Sequence, residues 1–287
     1  MSTAQKHRNF LGIPPEYSAR EKAKAVILPL PFDKTCSWLS GTSKGPDAII
    51  EASMNMELFD IETRTEVYKR GIYTAPAVHA ETGEGLNAKA YLETKRHLDE
   101  GRFVIALGGE HSVSYGPIMA HAEKFKDISI LQIDAHTDMR DTYEGNKFSH
   151  ACIMARAKEF SKNIVQVGIR SLDQSEYANI DESKVYYAEQ IHDSTDWIDS
   201  VVSKLGNNVY ITIDVDAFDI SIMPSTGTPE PGGLGWYQVL KLLKTVFQNK
   251  AVVGCDVVEL APTEHNRAPD FLTAKLVYKL LTYRFEL

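Results

Sequence analysis

Six short apolar runs rich in β-branched residues, at 25–30, 103–107, 128–133, 164–169, 209–213 and 252–258, punctuate the chain. Each has the length of a strand and is apolar at consecutive positions, the pattern of a strand covered on both faces, as in a parallel sheet between helices. Longer stretches at 88–98, 115–125, 194–205 and 236–246 carry apolar residues at helical spacing. Strand and helix therefore alternate, which predicts an α/β fold. Leu28-Pro29-Leu30-Pro31-Phe32 and the glycines and prolines of 224–235 read as loops leaving strand ends. No repeat or linker divides the chain, so residues 1–287 are expected to form one domain.

Polar residues gather where the predicted strands end. Gly108-Gly109-Glu110-His111 follows the second run, Asp134-Ala135-His136-Thr137-Asp138 the third, Asp214-Val215-Asp216 and Asp219 the fifth, and Glu259 the sixth. In a parallel sheet ligands sit beyond the carboxyl ends of the strands, so these segments converge on one place. An extended backbone would turn Asp134, His136 and Asp138 toward one face, and Asp214 with Asp216 toward another. A single Asp there serves well as a helix cap or turn former. The whole set is a different matter, because so many carboxylates at the edge of a core must be neutralised by cations. Carboxylate oxygens with a few imidazoles suit Mn²⁺, and less often Zn²⁺, Co²⁺ or Fe²⁺. Two such ions sharing carboxylates would lie roughly 3.5–4 Å apart and could activate a water between them.

Composition narrows the partners. Of 287 residues 43% are hydrophobic and 24% charged, enough apolar material for a sizeable core. A net charge of −8 and a pI near 5.6 argue against nucleic acid as partner and favour a small cationic one. Cys36, Cys152 and Cys255 are odd in number and stand far apart with no CxxC pair, which suggests neither a disulfide framework nor a zinc finger. Cys152 and Cys255 read as small packing residues. The polar start of the chain has no signal-peptide core, and no apolar run approaches the roughly 18 residues needed to span a bilayer. A cytoplasmic protein without membrane contact is expected.

These segments, with Gly227-Thr228-Pro229-Glu230-Pro231-Gly232-Gly233 and Asp256-Val257-Val258-Glu259, stand in the order found in the ureohydrolases, the arginase and agmatinase family, and the chain resembles that family over nearly its full length. The resemblance implies a three-layer α/β/α fold around a parallel sheet, two Mn²⁺ ions, and hydrolysis of a guanidinium group to release urea. It implies His111 and His136 as ligands of one ion each, Asp134, Asp138 and Asp214 as shared ligands, and Asp216 as completing one ion. Glu259 resembles the carboxylate that receives the guanidinium, and His150 the histidine that relays protons near the leaving group. Trimers or hexamers are usual in the family, so a homo-oligomer is implied. The loop at 139–147 resembles that of agmatinases, which makes agmatine the expected guanidino substrate, with arginase and guanidinobutyrase activities as alternatives and a non-catalytic metal-binding protein as the alternative of another class. Glu144 and Thr228 are expected substrate contacts, with Asp141 and Glu230 as further candidates for the distal ammonium. Arg140 would repel that ammonium unless paired with Asp141 or Glu144. Ile220 stands where the family has proline, which would stiffen the loop after Asp219.

Overall fold

The computed structural model describes residues 8–287; residues 1–7, and with them most of the polar start, lie outside the described residues. Eight strands form one sheet: β1 Ala25–Leu30, β2 Ile72–Thr74, β3 Phe103–Gly108, β4 Ser129–Ile133, β5 Asn163–Ile169, β6 Val185–Tyr187, β7 Asn208–Asp214 and β8 Ala251–Val258. Their order is β2-β1-β3-β8-β7-β4-β5-β6, and every neighbouring pair is parallel. The helices are α1 Pro15–Ser18, α2 Gly45–Ser53, α3 Gly83–Asp99, α4 Tyr115–Lys124, α5 Ile153–Ala157, α6 Ala188–Ile191, α7 Trp197–Lys204, α8 Trp236–Asn249 and α9 Ala268–Glu286. No described helix is long and apolar enough to cross a membrane.

Alternate residues of each strand pack against opposite helical layers, as a period of two requires. Ile27, Ile105, Leu131, Ile211 and Val257 meet α2, α7, α8 and α9 on one face. Val26, Val104 and Ala106 pack with residues of α3, and Ile130 and Tyr210 with α4 and α5, on the other. The result is the expected three-layer α/β/α arrangement. The six anticipated strands are present, and the four anticipated helices are α3, α4, α7 and α8. Two three-residue edge strands, β2 and β6, are too short to show an apolar run. Helix α9 is the longest, and its buried positions, including Asp270, Thr273 and Lys279, run round the helix instead of forming one stripe. That erases the amphipathic signal by which a helix is read.

Between β3 and β4 the chain leaves two places in the sheet that β8 and β7 later fill. The order of winding reverses here, the position at which open α/β sheets bind ligands. β3, β8, β7 and β4 lie side by side with their carboxyl ends together. These are the four strands after which the polar segments follow.

Candidate metal centre and active-site cleft

The turn after β3 is built on Gly109. A Cβ there would lie 2.0 Å from the Phe32 carbonyl oxygen, so only glycine allows the loop after β1 to close over it. The Gly109 N–H donates to the Leu30 carbonyl at 3.0 Å, and its carbonyl accepts the Glu259 N–H at 2.8 Å. His111 follows on a 3₁₀ turn, buried, and its backbone N–H donates to Glu259 Oε1 at 2.7 Å. Glu259 itself stands at φ 67°, a left-handed conformation costly for a side chain and held here by the bonds on either side.

The two Asp-rich segments are turns, not extended continuations of their strands. β4 ends at Ile133, and Asp138 has φ 52°. Asp134 Oδ1 accepts the His136 N–H at 2.6 Å, while Gln132 Nε2 donates to Oδ2 at 2.6 Å. Asp214 ends β7 and caps the 3₁₀ turn Val215–Ala217, its Oδ1 accepting the Asp216 N–H at 2.9 Å. Asp216 Oδ1 accepts the Ala135 N–H at 3.0 Å and so ties the two turns together. The alternation expected of extended backbone is thus replaced by capped turns, which gather the same side chains. Asp219 does not join them. Its carboxylate takes the N–H groups of Ser221 at 3.0 Å and Gly233 at 3.2 Å, and its carbonyl takes those of Ile222 and Met223. These four bonds order the loop in which Ile220 replaces proline.

Two groups of donors result, His111 with Asp134 and Asp138, and Asp134 with His136 and Asp216, the atoms of each lying within 4.8 Å of one another. His111 Nδ1 is 3.0 Å from Asp138 Oδ2, 3.1 Å from Asp134 Oδ2 and 3.5 Å from Asp214 Oδ2. His136 Nδ1 is 2.9 Å from Asp216 Oδ2 and 3.7 Å from Asp134 Oδ1. Although three carboxylate oxygens surround it, the buried His111 Nδ1 has no hydrogen-bond partner. Lone pairs converging in this way from oxygen and imidazole donors fit a pair of divalent cations with Asp134 between them.

Without cations the site is strained electrostatically. Burial pushes the Asp134 carboxyl up to about 7, aided by Asp216 and Asp138. Burial raises Asp214 well above the usual carboxylate range, as it does Glu259, where the Glu110 carboxylate adds to the effect. Burial would lower His136, but the Asp216 and Asp134 carboxylates outweigh it and lift the imidazole to about 10. His111 is raised for the same reason by Asp134 and Asp138.

A cleft of about 310 Å³ opens onto this cluster. His150 lies on its wall, with Nε2 3.0 Å from Ser37 Oγ, Nδ1 3.3 Å from Thr35 Oγ1, and its ring edge-on to Tyr143. Glu259 and Thr228 line it, as does Glu230, whose carboxylate is 3.9 Å from His136 Nε2. Glu144 does not line the cleft. It is exposed on the turn bridged by Tyr143 and Asn146, and Asp141 is drawn away by Arg156 at 2.6 Å. Arg140 pairs with Glu176 at 3.5 Å and Asp173 at 3.8 Å instead of the neighbours expected for it. Asp173 and Glu176, missed from sequence, come from the turn after β5 and line the cleft. Arg170, also missed, donates to the Asp216 carbonyl at 2.6 Å and the Glu230 carbonyl at 2.9 Å, tying the ligand turn to the cleft wall. Cys36 lines the cleft too, but burial and the Glu259 and Glu110 carboxylates push its thiol up to about 12. Cys152 and Cys255 are buried and free.

Residues 23–282 match the Arginase family. The chain is 40% identical over 262 residues to an N(1)-aminopropylagmatine ureohydrolase of Thermus thermophilus, covering 90% of this chain and 89% of that one. It is 38% identical over 272 residues to the N(1)-aminopropylagmatine ureohydrolase of Synechocystis sp., covering 91% and 89%. The solved agmatine ureohydrolase of Thermoplasma volcanium superposes with a TM-score of 0.88 at 30% identity, over 98% of this chain and 95% of that one. This chain belongs to the arginase family, and is a hydrolase of amidino carbon–nitrogen bonds.

Proposed function

We propose that the chain hydrolyses the guanidinium of an amine-tailed substrate, with Mn²⁺ as the native metal, releasing urea and a polyamine. One observation carries the reading. Beside the metal-facing acids the cleft is lined by Glu259, Glu230, Asp173 and Glu176, while its one lining arginine among the described residues, Arg140, is already paired with Asp173 and Glu176. A substrate carrying more than one positive charge suits this excess of acid, and a free α-carboxylate meets no unpaired arginine or lysine among the described lining residues. Agmatine has this form, and N1-aminopropylagmatine extends it by a second amine. The Thermus and Synechocystis relatives are named for the extended compound, so we take it as the preferred substrate and agmatine as the shorter one.

Two bound divalent cations would supply a water acidic enough to attack near neutral pH. The chain's own groups do the rest. Glu259, raised by burial, is returned to its ionised form by a guanidinium it can meet with charge-assisted hydrogen bonds, which orients the carbon over the cluster. His150, whose Nε2 lies 3.0 Å from Ser37 Oγ, is the group we assign to pass a proton to the departing amine. Thr228 lines the same cleft and is assigned to substrate positioning.

Urea release measured with Mn²⁺ across N1-aminopropylagmatine, agmatine, arginine and 4-guanidinobutyrate tests this. The two amine-tailed compounds should exceed the carboxylates by about 100-fold in kcat/KM, the size expected of an unpaired buried charge. A preference for arginine or 4-guanidinobutyrate would overturn the reading.

A further inference from the structure

We propose that Thr212 and Asp256 are positioning residues that hold the His111 ring with its Nδ1 lone pair toward the metal cluster, through hydrogen bonds that run one way along the chain of groups. The inference rests on the reading of His111 as a metal ligand. His111 Nε2 lies 2.8 Å from Thr212 Oγ1, Thr212 donates to Asp256 Oδ1 at 2.6 Å, and Tyr210 donates its hydroxyl to Asp256 Oδ2 at 2.7 Å. All four residues are buried. An ionised carboxylate only accepts, so the single Thr212 proton is committed to Asp256. Thr212 can then only accept from His111, which places the ring proton on Nε2 and leaves Nδ1 bare among Asp134, Asp138 and Asp214. Nδ1 is the atom that has no hydrogen-bond partner.

The sheet explains how these groups meet. Thr212 and Asp256 are register partners on β7 and β8, and Tyr210 lies two residues before Thr212 on the same face. Asp256 stands between Cys255 and Val257 in an otherwise apolar strand. A buried charge there is costly unless its lone pairs are taken up, and two of the hydroxyls facing it, on Tyr210 and Thr212, belong to the neighbouring strand. Burial leaves the Asp256 carboxyl raised overall, although the charge of His111 and hydrogen bonds with Thr212, Tyr210 and Ser114 work against it. Among the described residues His136 has no such support, its Nε2 reaching only Glu230 at 3.9 Å on a partly exposed edge. The device therefore serves one ion of the pair.

Metal-free protein titrated with Mn²⁺ by calorimetry is the test. Wild type should bind two ions. Thr212→Val should weaken one by about 10–100-fold, the size of outer-sphere effects on metal affinity, and leave the other within about twofold. Thr212→Ser, which keeps the hydroxyl, should stay within about threefold of wild type for both. Thr212→Val with wild-type affinity for both ions overturns the inference while leaving the metal reading intact. Wild type that binds no ion overturns both. Nitrogen-15 spectra of the wild-type chain loaded with Zn²⁺ give a second readout, with the His111 signal assigned by its loss in His111→Gln. A proton on Nε2 is expected, and one on Nδ1 refutes the proposal.

Discussion

Two regions of this molecule bury carboxylates, and they neutralise them in opposite ways. On the α9 face, Lys279 Nζ reaches Asp60 at 2.8 Å and Glu62 at 2.6 Å, while Lys244 reaches Glu62 at 2.8 Å. Two acids meet two lysines, and the Tyr283 hydroxyl donates to Glu62 as well. At the carboxyl ends of the central strands, Asp134, Asp138, Asp214, Asp216 and Glu259 are buried with two imidazoles among them. The first region is closed by the chain's own cations. The second is left short of positive charge, which is what distinguishes a binding centre from a structural ion-pair network.

The largest effect should come from the acid common to both donor groups. Asp134→Asn should lower metal content and cut the rate of urea release by about a thousandfold, since several kcal/mol of transition-state stabilisation would depend on the ions assigned to it. Metal analysis beside a urea assay measures both. A variant with two ions and full activity would show that the centre is not organised around Asp134.

Lys279→Met is the complementary lesion. It leaves Asp60 buried and unpaired, and should cost about 3–5 kcal/mol of stability in thermal or urea melts. Metal content and the rate per folded molecule should not change. A loss of bound metal in this variant would mean that the two regions are coupled and that the contrast between them is false.

The same contrast governs what could be read from sequence. The central strands were legible because burial on both faces makes them continuous apolar runs, and the acids beyond them because charge at a strand end is conspicuous. What the turns do was not legible: Asp138 and Glu259 sit at positive φ, and no residue type announces that in a non-glycine. Arg170 and Asp173 act through loops whose course depends on the tertiary fold. Glu144 was misplaced for the same reason, being near the ligands in sequence and outside the cleft in space. Thr212 and Asp256 did leave a trace, as polar residues inside apolar strands, but their pairing depends on β7 and β8 being neighbours, which only the topology decides.

Removing an acid should have opposite signs in the two regions. In metal-free protein, Asp214→Asn removes a carboxyl whose ionised form burial disfavours, so the fold should gain about 1–2 kcal/mol in a chelator-treated melt. With Mn²⁺ present the order should reverse, because wild type alone gains the binding energy of the ions, about 2.7 kcal/mol at a hundred times Kd. A metal-free variant less stable than wild type would mean that the Asp214 hydrogen bond to Asp216 outweighs the relief of charge.

The smallest effect concerns acid. Burial would raise Glu62, but hydrogen bonds from Lys244, Lys279 and Tyr283 outweigh it and hold the carboxyl at about 2, against about 4.3 in an unfolded chain. The folded state thus binds fewer protons than the unfolded one between those values. The Glu62 contribution is complete above about pH 4.3 and disappears as pH falls toward about 2. The side chain is 33% exposed, so solvent screening limits the contribution to about 1 kcal/mol. Glu62→Gln should lower stability by about that amount at neutral pH and converge on wild type near pH 2. Melts at a series of pH values separate this from a packing loss, because lost packing would hold the variant's curve below that of wild type by the same amount at every pH.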